Sequence, residues 1–168
     1  QFEWIELTLK TLIERKDVHT VIRIHPGEAD KFKSKDSLVD TISKITENIN
    51  PENLTIIKPS DSYSSYQLLK ISQLSLIYGS KISLESSYRN IPTLICGDSL
   101  FRQSEFTYLP TSRNDYRKLL LKNLSPLSDQ KLYSLRFAHY IYFRVLMFSI
   151  EQINLLPYFV FNCFYIRK

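Results

Sequence analysis

Glycine is scarce in this chain, at three positions, Gly27, Gly79 and Gly97, among 168 residues. A GxxxxGK[ST] phosphate loop, a GxGxxG dinucleotide turn and a GxSxG nucleophile elbow all need glycines at short spacing, and none is present. The two cysteines, Cys96 and Cys163, are too few for a disulfide framework. Neither lies in a metal-ligand spacing, and no His/Cys/Asp cluster does, so no metal and no resident cofactor is expected. A reducing compartment is the default for so few thiols. Charge of one sign does not accumulate either. The net charge is +5, and bases such as Lys31, Lys33 and Lys35 are interspersed with acids, without a run of five. The aromatics collect in the tail, away from the lysines, which argues against a single-stranded nucleic-acid groove. No apolar stretch reaches the roughly 18 residues of a membrane-spanning helix.

What is present is enough apolar residue for one proper core, 43% against 23% charged. Gln1 leads into Phe2-Glu3-Trp4-Ile5 with no initiator methionine and no signal peptide, and the expectation is that these residues continue a longer protein.

Apolar spacing predicts a helix over residues 2–16 through Phe2, Ile5, Leu9, Leu12 and Ile13. Residues 18–24 form a β-branched run that stops at His25-Pro26-Gly27. A second helical repeat covers residues 37–49, and Leu54-Thr55-Ile56-Ile57 reads as a short buried strand. Ser60 and Asp61 are candidate caps for a helix carrying Tyr66, Leu68, Leu69 and Ile71. Residues 74–78 make another apolar strand, halted by Gly79-Ser80. A helix over 82–89, a strand over 92–96 closed by Gly97-Asp98, and a helix over 112–124 complete the series. Short apolar strands alternating with helices predict an α/β fold, a Rossmann-like parallel sheet flanked by helices. Ligands of such sheets bind beyond the carboxyl ends of the strands, here the loops at 25–28, 59–63 and 79–83.

Residues 1–130 are expected to form this domain, and residues 131–168 an aromatic helical extension. The tail carries Tyr140, Tyr142, Phe143, Phe148, Tyr158, Phe159, Phe161, Phe164 and Tyr165, broken by Arg144, Glu151, Gln152, Asn154 and Pro157. It reads as a long C-terminal helix packing on another domain, or as an interfacial membrane segment with Arg167 and Lys168 on anionic headgroups.

Gly79-Ser80-Lys81-Ile82-Ser83-Leu84-Glu85 joins a buried strand to a helix, where amides and the helix dipole favour phosphate. Ser80 and Ser83 add hydroxyls, and Glu85 can accept hydrogen bonds from a ribose diol. An ordinary capped helix start is the competing reading. His25, at the end of the first strand, can donate to a departing phosphate oxygen, or can be a loop histidine bonded to a backbone carbonyl. Arg23 shares its side of the strand.

These blocks, Val21 to Glu28, Ser65-Tyr66-Gln67-Leu68-Leu69, Tyr78 to Glu85, Ile91 to Gly97, and Phe106-Thr107-Tyr108 followed by Pro110, resemble the capsule polysaccharide biosynthesis family over residues 18–145. The resemblance implies the C-terminal, donor-binding half of a two-domain GT-B glycosyltransferase. Such an enzyme would move a sugar from a nucleotide-activated donor to a polysaccharide or glycolipid acceptor, in the cytoplasm or at the inner face of the plasma membrane. An N-terminal domain would complete the cleft. By the same resemblance His25 and Pro26 assist the leaving group, and Ser80 and Glu85 grip the nucleotide. Kdo-transferring members tend to have glutamine where this chain has Leu76, and a small hydroxyl residue is common at Lys81; the first difference points away from Kdo as donor. A glycerophosphotransferase, a nucleotide-sugar epimerase and a non-catalytic nucleotide-binding module are the rival expectations.

Overall fold

The computed structural model describes residues 2–12, 14–24, 38–47, 51–103, 105–145 and 161–167. In chain order the elements are α1 (Phe2–Leu12), β1 (Val18–Ile24), α2 (Leu38–Thr46), a 3-10 turn at Pro51–Asn53, β2 (Leu54–Ile57) and α3 (Ser65–Ile71). They continue with β3 (Leu74–Ile77), α4 (Ile82–Tyr88), β4 (Thr93–Ile95), α5 (Arg113–Leu120), α6 (Gln130–Tyr140), a π turn at Ile141–Val145, and β5 (Phe161–Arg167).

The strands form one sheet in the order β2-β1-β5-β3-β4. β1 pairs with β2 and β3 with β4 in parallel, and β5 joins the two pairs as an antiparallel strand. β1 to β4 therefore all end on the same rim, as expected. The chain is a mixed α/β protein. Side chains alternate across each strand, which divides the apolar interior into two layers. Ile22, Leu76 and Leu94 face α1, α2 and α5, packing with Ile5, Leu9, Leu12, Ile42 and Leu120. Their neighbours Val21, Ile77 and Ile95 face α3 and α4, packing with Leu68, Leu69 and Ile82. Each such fully buried side chain contributes about 1.5–3 kcal/mol.

The tail differs from the expectation. The long C-terminal helix does not extend through residue 168, because Phe161–Arg167 is a strand in the middle of the sheet, in register from Ile24↔Phe161 to Val18↔Arg167. Two physical reasons favour this. Aromatic and β-branched residues suit a pleated strand. β1 and β3 each present an edge whose amides and carbonyls need partners, and β5 supplies both. Among the described residues of the tail, α6 and its π turn are helical, and α6 packs on α4.

Small hydroxyl residues let these layers approach. The hydroxyls of Thr93, Ser86 and Ser75 form a buried chain at 2.8 and 2.9 Å, and Ser87 Oγ donates to the Phe106 carbonyl at 2.8 Å. Gln130 locks α6 onto α4. Its Nε2 donates to the Ile91 and Ser87 carbonyls at 3.0 and 3.2 Å, and its Oε1 accepts the Leu127 N–H at 2.9 Å. Gln130→Leu should cost about 1–3 kcal/mol, because three backbone groups lose a partner. Urea unfolding measures this; a midpoint equal to wild type would show the contacts to be idle.

Candidate functional site

The carboxyl ends of the parallel strands open onto the loops after β2, β3 and β4. His25 and Pro26, expected at the leaving group, lie outside the described residues. Arg23 lies just before them and is buried, 4% exposed. Its Nη1 donates to the carbonyls of Ile24 and Lys58 at 2.5 and 2.7 Å, and its Nη2 to that of Asp61 at 3.4 Å. Burial lowers its pKa and the Asp61 carboxylate partly restores it. Arg23 is expected to contact the donor; in the structure its two terminal nitrogens bind the loop between β2 and α3, while its Nε has no hydrogen-bond partner among the described residues. Asp61 closes the same loop by accepting the Lys58 N–H at 2.7 Å. The cap of α3 is Ser64, whose capping box with Gln67 does what was expected of Ser60 and Asp61.

The turn after β3 is tighter than a phosphate cradle requires. A Cβ on Gly79 would lie 3.2 Å from the Ser99 Cβ, so this glycine faces the loop after β4. Ser80 is buried and its Oγ accepts the Ile82 N–H at 3.4 Å. The Ser83 and Leu84 amides donate to the carbonyls of Ser80 and Lys81 at 3.1 and 2.9 Å. The first amides of α4 are thus already engaged. Ser83 is fully buried, with no hydrogen-bond partner for its Oγ among the described residues. Ser83 is expected to donate to a phosphate, and here it lies in the interior. Lys81 is the exposed residue of this turn. Ser83→Ala should leave ligand affinity unchanged and stability within about 1 kcal/mol, since an unpaired buried hydroxyl contributes little. A marked loss of nucleotide affinity, read by calorimetry, would restore Ser83 to the site.

Glu85 is placed differently. It is half-buried at the first turn of α4, beside a cavity of about 180 Å³ lined by Tyr66, Leu84, Tyr88, Leu135, Ala138 and Tyr142, among others. Tyr66 Oη donates to Glu85 Oε1 at 3.4 Å, while Oε2 has no hydrogen-bond partner among the described residues. Burial raises the carboxyl pKa; a backbone hydrogen bond, the Lys81 charge and the Tyr66 hydroxyl pull it back in part. The outcome is a carboxylate with one oxygen held by Tyr66 and the other buried without a hydrogen-bond partner among the described residues, beside a cavity walled by tyrosines. Tyr88, one helical turn beyond Glu85 in α4, and Tyr142, brought in by the docking of α6 on α4, were not identified from the sequence as site residues.

On the opposite face of the sheet, Trp4, Tyr78, Cys96, Arg113 and Tyr116 line a cavity of about 310 Å³. Burial pushes the Cys96 thiol up to about 12, with hydrogen bonds to Trp4 and Tyr116 opposing, so this cysteine stays protonated at neutral pH. No group of three or more His, Cys, Asp or Glu suited to a metal occurs among the described residues. No helix among them is long and apolar enough to cross a membrane. Comparison of the chain with protein-family models, curated proteins and solved structures finds no match.

Proposed function

We propose that the chain is the donor-binding half of a nucleotide-sugar-dependent glycosyltransferase with a GT-B architecture. The observation that carries this reading is Glu85: a half-buried carboxylate beside a tyrosine-lined cavity, with one oxygen unpartnered among the described residues, in the helix that follows β3. A ribose diol is a ligand of matching chemistry, offering two O–H donors beneath a planar base for the tyrosines. The ordered series of sequence blocks resembling the capsule family supports the same reading, and two of those blocks meet where Tyr66 touches Glu85.

In this account Glu85 orients the nucleoside and Lys81 is the cation available to the phosphates. The bond broken joins the sugar's anomeric carbon to the terminal phosphate oxygen, and the bond made joins that carbon to the oxygen of an acceptor hydroxyl, whose proton passes to a base of the second domain or to solvent. His25 hydrogen-bonds or protonates the departing oxygen. Most of the acceleration then comes from positioning and from stabilising that charge. The acceptor, a polysaccharide or glycolipid on the cytoplasmic side, meets the donor in a cleft completed by a second Rossmann-like domain. The nucleotide sugar is the only small molecule this scheme requires.

Calorimetric titration with CMP, UDP and GDP tests the binding step, and product analysis with radiolabelled nucleotide sugars tests the transfer. Release of an epimerised nucleotide sugar, or transfer of glycerophosphate, would replace the reading; failure to bind any of the three nucleotides would end it.

A further inference from the structure

α6 carries apolar side chains on two faces. Its inward positions are Gln130, Ser134, Phe137 and Ala138, with Ile141 following; Gln130, Ser134 and Ile141 are buried, and the Phe137 ring packs on Phe106 at 5.5 Å. A second set of apolar side chains lies in solvent between Lys131, Arg136 and Arg144. Leu132 is 44% exposed, Leu135 54% and Phe143 61%, and with His139 they follow the spacing i, i+3, i+7, i+11. That spacing sets them on one stripe, and the His139 and Phe143 rings pack at 4.9 Å along it. Packing of the inward face leaves this stripe unused.

Charge says what would cover the stripe. Between residues 130 and 145 there are three basic residues, Lys131, Arg136 and Arg144, and no Asp or Glu. Arg136 and Arg144 have no ion pair among the described residues. Tyr133, Tyr140 and Tyr142 flank the stripe, each partly in solvent. Apolar side chains along one line, with arginines and tyrosines at its borders, suit the boundary between acyl chains and anionic headgroups. A second copy of this chain would set the same cations against each other across a two-fold axis.

We propose that the outer face of α6 and its π turn docks on an anionic lipid bilayer. The inference does not rest on the donor reading, although Leu135 and Tyr142 also line the cavity beside Glu85.

Flotation of the protein with vesicles tests it. The expected result is binding to vesicles containing phosphatidylglycerol and little binding to pure phosphatidylcholine, weakening as salt rises. R136Q together with R144Q should lower the affinity roughly thirtyfold, at the usual contribution of a surface cation near anionic lipid. Leu132→Ser with Phe143→Ser should lower it at least as far. All four positions are solvent-exposed, and circular dichroism confirms that each variant is folded. Equal binding to both vesicle types, no binding, or unaltered binding by both variants would overturn the proposal. So would a wild-type dimer that becomes monomeric in the serine variant without any lipid binding, which would assign the stripe to protein.

Discussion

Gly97→Ala is expected to lower the melting temperature by roughly 6–12 °C, the shift that corresponds to about 3 kcal/mol in a domain of this size. A Cβ at Gly97 would lie 2.1 Å from the Tyr78 carbonyl oxygen and 2.8 Å from its carbon. These are backbone atoms at the exit of β3, so no side-chain rotation relieves the clash. Either the loop after β4 or the end of β3 has to move, which puts the cost at the upper end of the about 1–3 kcal/mol typical of overpacking. No glycine among the described residues has positive φ, so space and not backbone conformation is what Gly97 provides. Gly79→Ala is the control. There the nearest atom is the Ser99 Cβ at 3.2 Å, a contact that a small shift relieves. Thermal unfolding followed by circular dichroism separates the two; a Gly97→Ala protein melting with the wild type would refute the close approach of these loops.

The second large effect is expected at Glu85. Removing the carboxylate in Glu85→Ala should weaken nucleotide binding roughly thirtyfold, the equivalent of about 2 kcal/mol for hydrogen bonds to a charged group. The pH dependence follows from the raised pKa. A carboxyl whose folded pKa lies above its unfolded value of 4.5 stabilises the fold fully below that value. That contribution is lost as pH rises through the folded pKa, because burial penalises the charged form. Wild-type stability should therefore drop over this interval relative to Glu85→Gln, which cannot ionise. Nucleotide affinity should move the other way, rising with pH as the carboxylate becomes charged. Parallel melting and titration series for the two proteins, from acid to neutral pH, check both signs.

How much of this was readable beforehand depended on the range of the contacts involved. β1 and β2 carry β-branched and aliphatic residues between turn residues, and their observed limits, Val18–Ile24 and Leu54–Ile57, are those the sequence predicts. The cap of α3 was assigned to Ser60 and Asp61, whereas the capping box is Ser64-x-x-Gln67 and Asp61 closes a turn on Lys58. β5 was not readable. Its aromatic run continues a tail that is aromatic throughout, and its partners β1 and β3 are distant in sequence, so local pattern could not select strand over helix.

At the site the same division holds. Glu85 was picked out by its place after a strand, and the structure puts it beside an open cleft. Arg23 was picked out by its side of the strand and Ser83 by its hydroxyl at a helix start, and both are buried. Tyr142 and Gln130 gave no signal, because their part depends on how α6 lies against α4, and Tyr88 one turn beyond Glu85 was passed over.

The central claim is that Glu85 accepts hydrogen bonds from the ribose of a nucleotide. The most direct measurement compares, by calorimetry, a nucleoside diphosphate with its 2′,3′-dideoxy counterpart on wild-type protein and on Glu85→Ala. The account predicts that loss of the diol weakens binding to the wild type by about the same factor as loss of the carboxylate, and that the variant scarcely distinguishes the two ligands. Equal affinity of the wild type for both ligands would contradict it.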